Sequence, residues 1–226
     1  QAVVDALDTF ANPSSTHTPG RDARMVVDTA RRKVANALAV RPEQVVFTSG
    51  GTEASNLALR GLMASRKGKR ILTSPTEHHA TLHTATAIGV DQGSVVTVLP
   101  VDSTGKIDTH ALKTELEKED VGVVSLMYAN NETGLIQPIE EAAALCKEHQ
   151  VPFHVDGVQA AGKMAYTFDG LGCDALSVSF HKFGGPKGVG ALILKGNLEM
   201  TATITGGGQE RNRRGGTENV PAIAGA

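Results

Sequence analysis

Apolar and polar positions alternate with two different periods along the chain, and this pattern predicts a series of strands and helices. Short apolar runs rich in Val, Ile and Phe are typical of buried strands. They are QVVFTS (44–49), RILTS (70–74), VVTVLPV (95–101), VGVVSLMYA (121–129), VPFHVD (151–156), DALSVSF (174–180) and VGALIL (189–194). Longer stretches with helical spacing separate most of them. This order predicts one α/β domain with a mostly parallel sheet and helices on both faces.

Local signals predict where several helices begin. Thr18 and Pro19 have the residue types preferred at an N-cap and at the first helical position. Further helices are expected to begin near Thr52 and at Pro138. Only eight residues (181–188) separate the last two predicted strands, too few for a helical crossover. We therefore expect these two strands to be antiparallel or not to be neighbours.

The composition is that of an ordinary globular domain: 226 residues, 40% hydrophobic and 20% charged. Lys plus Arg number 22 and Asp plus Glu number 24, so the formal net charge is -2. This balance argues against nucleic acid or an anionic membrane as the main partner. The two cysteines lack paired or zinc-binding spacing, which favours a reducing cytoplasm. No apolar run of about 18 residues or signal-peptide pattern occurs in the sequence.

Polar segments follow five of the predicted strands. In open parallel sheets, ligands bind outside the carboxyl ends of the strands, so these segments are expected to form one polar rim. They are SGGTEASN (49–56), TEHH (76–79), ANNETG (129–134), DGVQ (156–159) and SFHK (179–182). Their convergence indicates a ligand site more strongly than any one of them does.

Individually, most of these segments allow two interpretations. The SGGT segment could form a tight turn, or it could hold a phosphate at a helix N-terminus. Asp156 could cap a helix, or it could pair with a cationic ligand. His78 could be an ordinary surface histidine. His79 and His83 are spaced for one helix face, but no third ligand supports a metal site.

Lys182 changes this picture because it stands at the end of a strand, next to His181 and a glycine-rich turn. An ordinary solvated surface lysine would not need this setting. A lysine whose amine must be reached by a planar ligand would need it. A lysine, a phosphate cradle and a buried aspartate suit pyridoxal 5'-phosphate (PLP) chemistry. The lysine forms a Schiff base with PLP, and the aspartate keeps the pyridine nitrogen protonated.

Seven motifs run in order along nearly the whole chain: NPSSTHTPGR, FTSGGTEASNLA, TEHHA, ANNETG, HVDGVQAAGK, SFHKFGGPKGVGAL and GGGQERNRRGGTENVPAIAG. Together they resemble the large domain of NifS/IscS-type cysteine desulfurases. The resemblance implies a fold type I PLP enzyme of the class-V aminotransferase family. It also implies a mostly parallel seven-stranded sheet with one antiparallel strand.

The resemblance implies a role for each motif residue. Lys182 would bind PLP covalently and move the substrate α-proton, while His78 would stack on the ring and serve in acid–base steps. Asp156 would pair with the ring nitrogen. The remaining residues would hold the phosphate (Gly51, Thr52, Ser179 and His181) or lie near the phenolate oxygen and the substrate (Asn131 and Gln159). Thr217 would reach the phosphate of the neighbouring subunit, so a homodimer is expected.

The resemblance also implies what lies outside this sequence. The family's catalytic loop cysteine and small C-terminal domain have no counterpart here, so 1–226 is expected to be a large domain shortened at both ends. Cys146 and Cys173 do not lie in that loop context and are interpreted as packing residues. The segment alone is therefore expected to bind PLP without completing sulfur transfer.

The implied activity is removal of sulfur from L-cysteine, giving L-alanine and an enzyme persulfide for iron–sulfur cluster or thio-cofactor assembly. A sulfur-acceptor or iron–sulfur scaffold protein would be the partner. Selenocysteine lyase, or another fold type I PLP enzyme such as an aminotransferase, is an alternative. A non-catalytic module for dimerisation or acceptor docking is another, but a scaffold has no need for Lys182, Asp156 and His78 together.

Overall fold

A seven-stranded mixed sheet forms the centre of the computed structural model, which describes residues 1–118, 120–196 and 198–226. The strands run in the spatial order β1-β7-β6-β5-β4-β2-β3. Strand β7 is antiparallel to both of its neighbours, and the other pairs are parallel. The strands are β1 (Val45–Thr48), β2 (Arg70–Thr73), β3 (Val95–Val98), β4 (Val121–Met127), β5 (Phe153–Asp156), β6 (Ala175–Ser179) and β7 (Gly190–Leu194). The predicted fold class and the single antiparallel strand are confirmed.

Eight helices surround this sheet in the described residues. They are α1 (Ala2–Ala6), α2 (Thr18–Ala37), α3 (Gly51–Ala64), α4 (His79–Gln92), α5 (Thr109–Leu116), α6 (Ile139–Glu148), α7 (Phe168–Leu171) and α8 (Val220–Ala224). Apolar residues of α3 and α4 pack on one face of the sheet. Those of α2, α5, α6, α7 and α8 pack on the other face. None of the described helices is both long enough and apolar enough to cross a membrane.

Alternate residues of the strands contribute to opposite faces, as the pleat of a strand requires. On β1, Val45 and Phe47 belong to the cluster beneath α2, whereas Val46 belongs to the cluster beneath α3. Ile193 and Leu192 divide in the same way on β7. A sheet covered on both faces needs apolar residues at consecutive strand positions, which explains the unbroken apolar runs of the sequence.

The predicted helix starts are correct to within one residue. Helix α2 begins at Thr18, but its N-cap is His17, whose Nδ1 accepts a hydrogen bond from the Gly20 backbone N–H at 3.1 Å. The assignment of the cap to Thr18 was wrong because an imidazole nitrogen can satisfy the free N–H as well as a hydroxyl can. Helix α3 begins at Gly51. Pro138 is the N-cap of α6.

Candidate functional site

Nine of the ten predicted site residues line one cavity of about 280 Å³. The cavity lies where the carboxyl ends of β4, β5 and β6 meet the N-terminus of α3. The nine residues are Gly51, Thr52, His78, Asn131, Asp156, Gln159, Ser179, His181 and Lys182. Ala80, Met127 and Val158 also line it and were not predicted as site residues, although Met127 lies in the predicted strand 121–129 and Val158 in the polar segment 156–159.

Gly51 opens one wall of the cavity at the start of α3. A methyl group in place of its hydrogen would lie 2.5 Å from Cγ2 of Val158 and 3.4 Å from Cβ of Ser179. Glycine therefore lets the first turn of this 14-residue helix approach the end of β6. The unpaired N–H groups of a helix N-terminus favour an anion, and this wall is suited to a phosphate.

Asp156 is the last residue of β5 and is buried. Its Oδ1 accepts a hydrogen bond from the backbone N–H of Val158 at 3.0 Å. Burial raises the pKa of this carboxyl, while the Val158 N–H and the positive charges of His78 and Lys182 act in the opposite direction. Turns rather than a helix follow Asp156, so its side chain does not cap a helix.

His78 is the N-cap of α4 and faces the same cavity. Its Nδ1 accepts a hydrogen bond from the backbone N–H of Ala80 at 3.0 Å. A ring nitrogen that accepts a hydrogen bond carries no proton, so a neutral His78 ring has its proton on Nε2. The cap thereby fixes the tautomer and leaves Nε2 as the nitrogen that can exchange a proton.

Lys182 lies on a short 3₁₀ turn, Phe180–Phe183, directly after β6. The turn ends at Gly184, which has a positive φ of 96°. A Cβ on Gly185 would lie 2.7 Å from Cβ of Phe180, so a side chain there would push the turn apart. The glycines after Lys182 thus allow the chain to reverse within a few residues and leave the lysine exposed at the cavity.

The same turn contributes a polar pair beside the lysine. Ser179 Oγ and His181 Nδ1 are hydrogen-bonded at 3.0 Å. On the rim of the cavity, Gln159 Oε1 accepts a hydrogen bond from Lys163 Nζ at 2.7 Å. Asn131 Nδ2 donates to Glu132 Oε1. The cavity therefore combines polar side chains on its rim with a buried carboxylate in its floor.

Thr217 is the one predicted site residue that lies apart from the others. It is exposed and lines a second cavity, of about 190 Å³, together with Ser49, Gly188 and Arg214. Arg214 binds Glu53 in the first turn of α3, with Nε–Oε1 at 2.8 Å. The loop that carries Thr217 is therefore joined to α3, whose first residues line the candidate site.

A larger cavity, of about 730 Å³, contains none of the predicted site residues. Its lining is mostly apolar and includes Leu38, Met164 and Phe180. It lacks the convergent polar groups that a site for a charged cofactor needs. We therefore place the candidate site in the smaller polar cavity.

Neither cysteine is available for chemistry at the cavity. Cys146 and Cys173 are both buried and free. Burial raises the pKa of each thiol, which suppresses the reactive thiolate. Within the described part of the chain, no three His, Cys, Asp or Glu side chains are grouped so that they could hold a metal ion.

The family model for class-V aminotransferases matches residues 1–226. The chain belongs to this family. It is 45% identical over 221 residues to cysteine desulfurase IscS of Dictyoglomus turgidum, covering 96% of the chain and 55% of that relative. It is 45% identical over 227 residues to putative cysteine desulfurase IscS 1 of Bacillus subtilis, covering all of the chain and 59% of the relative. The chain thus spans a little over half the length of these curated relatives.

Solved structures agree with this family assignment. A NifS-like protein superposes with a TM-score of 0.94 at 38% identity, over 99% of this chain and 62% of the other. A structure described as SspA in complex with cysteine superposes with a TM-score of 0.93 at 35% identity, over 100% of this chain and 67% of the other. The resemblance to NifS/IscS-type cysteine desulfurases is confirmed, and the fold is that of these enzymes.

Proposed function

We propose that this class-V aminotransferase family member is the PLP-binding large domain of a cysteine desulfurase. The observation that carries the proposal is the convergence of Lys182, Asp156 and His78 on one cavity with a glycine-lined helix N-terminus. The names of the relatives support L-cysteine as the substrate, as does the neighbour in complex with cysteine. A cytoplasmic location and the supply of sulfur for iron–sulfur cluster or thio-cofactor assembly are part of this proposal.

The residues of the cavity fit PLP. A phosphate can be held by the N–H groups and hydroxyl of Gly51 and Thr52, with Ser179 and His181 completing the wall. The buried carboxylate of Asp156 suits a protonated ring nitrogen, because a buried charge is costly without a partner of opposite charge. Lys182 supplies an amine for covalent attachment, and Asn131 and Gln159 offer polar contacts on the rim.

When bound, PLP supplies an electron sink for the bonds of the substrate α-carbon. The protein contributes position and proton transfer. Asp156 keeps a positive charge at the ring nitrogen, which strengthens that sink. Lys182 Nζ, once free, takes the α-proton and returns a proton to the product. His78 covers the ring and exchanges a proton through Nε2.

Sulfur transfer requires a thiol in addition to these residues. The balanced reaction converts L-cysteine and a thiol into L-alanine and a persulfide, and the thiol gains the sulfur atom. Cys146 and Cys173 are buried and are not candidates for this thiol. The thiol that accepts sulfur is therefore expected outside these 226 residues, on the longer protein or on an acceptor protein.

Thr217 supports a homodimer in this proposal. It is exposed and does not enter the candidate cavity of its own chain. Its loop is attached to the rest of the domain by the ion pairs Arg31–Glu210 and Arg214–Glu53. A residue held in this way can reach a neighbouring subunit. Its role in the phosphate site of a partner is part of the proposal.

The proposal is tested by incubating the full-length protein with PLP and L-cysteine and measuring alanine and sulfide together. Equal amounts of the two products in the presence of a reducing thiol are expected. Selenocysteine is offered in parallel, and a strong preference for it would assign a selenocysteine lyase instead. No product from either substrate by a protein that is folded and dimeric would favour the non-catalytic alternative.

A further inference from the structure

A second buried carboxyl group lies behind the site, and the mechanism above does not use it. Glu77 is 6% exposed and lies in the loop between β2 and α4. Its Oε1 accepts two hydrogen bonds, from the backbone N–H of Met127 at 2.8 Å and from Ser74 Oγ at 2.9 Å. Its Oε2 is buried and has no hydrogen-bond partner among the described residues.

These contacts join the two parts of the site that hold the ring. Glu77 immediately precedes His78 in the sequence. Met127 pairs in register with Asp156 on the neighbouring strand. The backbone carbonyl of Asp156 also accepts a hydrogen bond from Tyr128, the residue after Met127, at 2.9 Å. One carboxyl group therefore links the loop of His78 to the strand end beside Asp156.

Other contacts attach the same loop less directly. Asn130 Nδ2 donates to the carbonyl of Thr76 at 2.8 Å, and Gln137 Nε2 donates to Thr76 Oγ1 at 3.2 Å. Both contacts are made to Thr76, which is only partly buried. Glu77, Met127 and Ser74 are all buried, so the connection that they form cannot be exchanged for water without cost.

We propose that Glu77 is a positioning residue for the cofactor ring, because its buried carboxyl fixes the loop of His78 against the strand end that carries Asp156. This inference rests on the proposed function, since it assigns the ring to the space between His78 and Asp156. It concerns a residue that touches neither PLP nor substrate.

The charge of Glu77 follows from its surroundings. Burial, assisted by the negative charge of Asp156, raises its pKa to about 8, although the hydrogen bonds from the Met127 N–H and the Ser74 hydroxyl act in the opposite direction. Two further charged groups lie near Glu77 and Asp156. They are His78, the next residue in the sequence, and Lys182, across the cavity, and both lower the pKa of Asp156. Glu77 therefore holds its proton at neutral pH.

The proton on Glu77 has a consequence for the apoprotein that can be measured without any cofactor. A Glu77→Gln variant keeps an oxygen for Met127 and Ser74 but cannot ionise. At neutral pH, the infrared spectrum of the parent is expected to contain a protonated-carboxyl band that Glu77→Gln removes. The band should also vanish as the pH passes about 8. An ionised Glu77 at neutral pH would overturn the assigned charge.

The positioning role is tested by equilibrium binding of PLP to the full-length protein. Glu77→Ala removes both hydrogen bonds and should raise the Kd for PLP by about ten-fold or more. Glu77→Gln should stay within about three-fold of the parent at neutral pH, because its amide oxygen preserves the contacts. Thr81→Val is the matched control, because it is isosteric and buried in α4, and its hydroxyl has no partner in the described chain.

The outcomes separate this inference from the proposed function. If Glu77→Ala binds PLP as tightly as the parent does, the positioning role is overturned and the proposed function still stands. A parent that binds no PLP would overturn the proposed function and the positioning role together. If Thr81→Val weakens binding as much as Glu77→Ala, the effect belongs to α4 in general and the inference fails.

Discussion

Arg31 and Glu210 form a buried, two-contact ion pair, with Nη1–Oε2 and Nη2–Oε1 both at 2.7 Å. Glu210 Oε2 also accepts the backbone N–H of Phe47 at 2.9 Å, and Arg31 Nη1 donates to the carbonyl of Val45 at 2.7 Å. The pair thus joins α2, β1 and the loop that carries Thr217. Glu210 adopts a left-handed φ of 46°, a conformation that costs energy for a residue with a side chain.

We predict that Glu210→Ala destabilises the protein by about 3–5 kcal/mol, because it leaves the Arg31 charge buried without a partner. Chemical denaturation of the parent and of the variant measures this change. Asp91→Asn is the matched control. It breaks the more exposed pair between Asp91 and Arg60, whose loss should cost about 0–1 kcal/mol. Equal effects of the two variants would contradict the assignment.

Gly51→Ala should weaken PLP binding, because the added methyl group collides with Val158 at the phosphate wall. A forced rearrangement of this size costs about 1–3 kcal/mol, which corresponds to a factor of about 5 to 140 in Kd. PLP titration followed by protein fluorescence measures the loss. Adding Val158→Ala to Gly51→Ala makes room for the methyl group and should recover part of the affinity. Unchanged affinity in Gly51→Ala would remove the steric argument.

A buried chain of hydrogen bonds predicts a pH dependence of stability. His154 Nδ1 is bonded to Ser125 Oγ and His154 Nε2 to Ser177 Oγ, both at 2.8 Å, which ties β4, β5 and β6 together. Burial lowers the pKa of His154 from 6.5 to about 3. Between these values the unfolded chain binds the extra proton, so His154 makes stability fall as the pH is lowered.

The variant His154→Gln isolates this effect, because its amide keeps one donor and one acceptor but cannot titrate. The difference in unfolding free energy between parent and variant should change by at most about 1.4 kcal/mol per pH unit below pH 6.5. Urea denaturation of both proteins over a series of pH values measures it. A difference that stays constant over this range would show that His154 does not titrate as assigned.

Much of the fold could be predicted because its signals are local. Unbroken apolar runs such as the one ending at Asp156 indicate strands buried on both faces, and the polar residues after them indicate a site at one sheet edge. The short link after Lys182 excluded a helical crossover, so β7 had to be either antiparallel to β6 or not its neighbour, and it is antiparallel. The pattern did not predict that β7 also pairs with β1, because pairing between distant strands leaves no local signal.

The contacts behind the site were missed for the same physical reason. Glu77 appears in the sequence as one polar residue of TEHH, and nothing nearby shows that Met127 and Ser74 bury its carboxyl. Glu210 is 179 positions from Arg31, and only the folded chain brings their charges together. Residues that bind ligands lie at strand ends and can be predicted, whereas the residues that support them depend on tertiary contacts.

Binding of PLP by Lys182 at this cavity is tested most directly by visible absorption of the full-length protein with added PLP. We expect a Schiff-base band in the parent that is absent from Lys182→Ala. Lys187→Ala, which changes another exposed lysine of the same loop, should keep the band. A band that persists in Lys182→Ala, or that is lost instead in Lys187→Ala, would contradict the assignment.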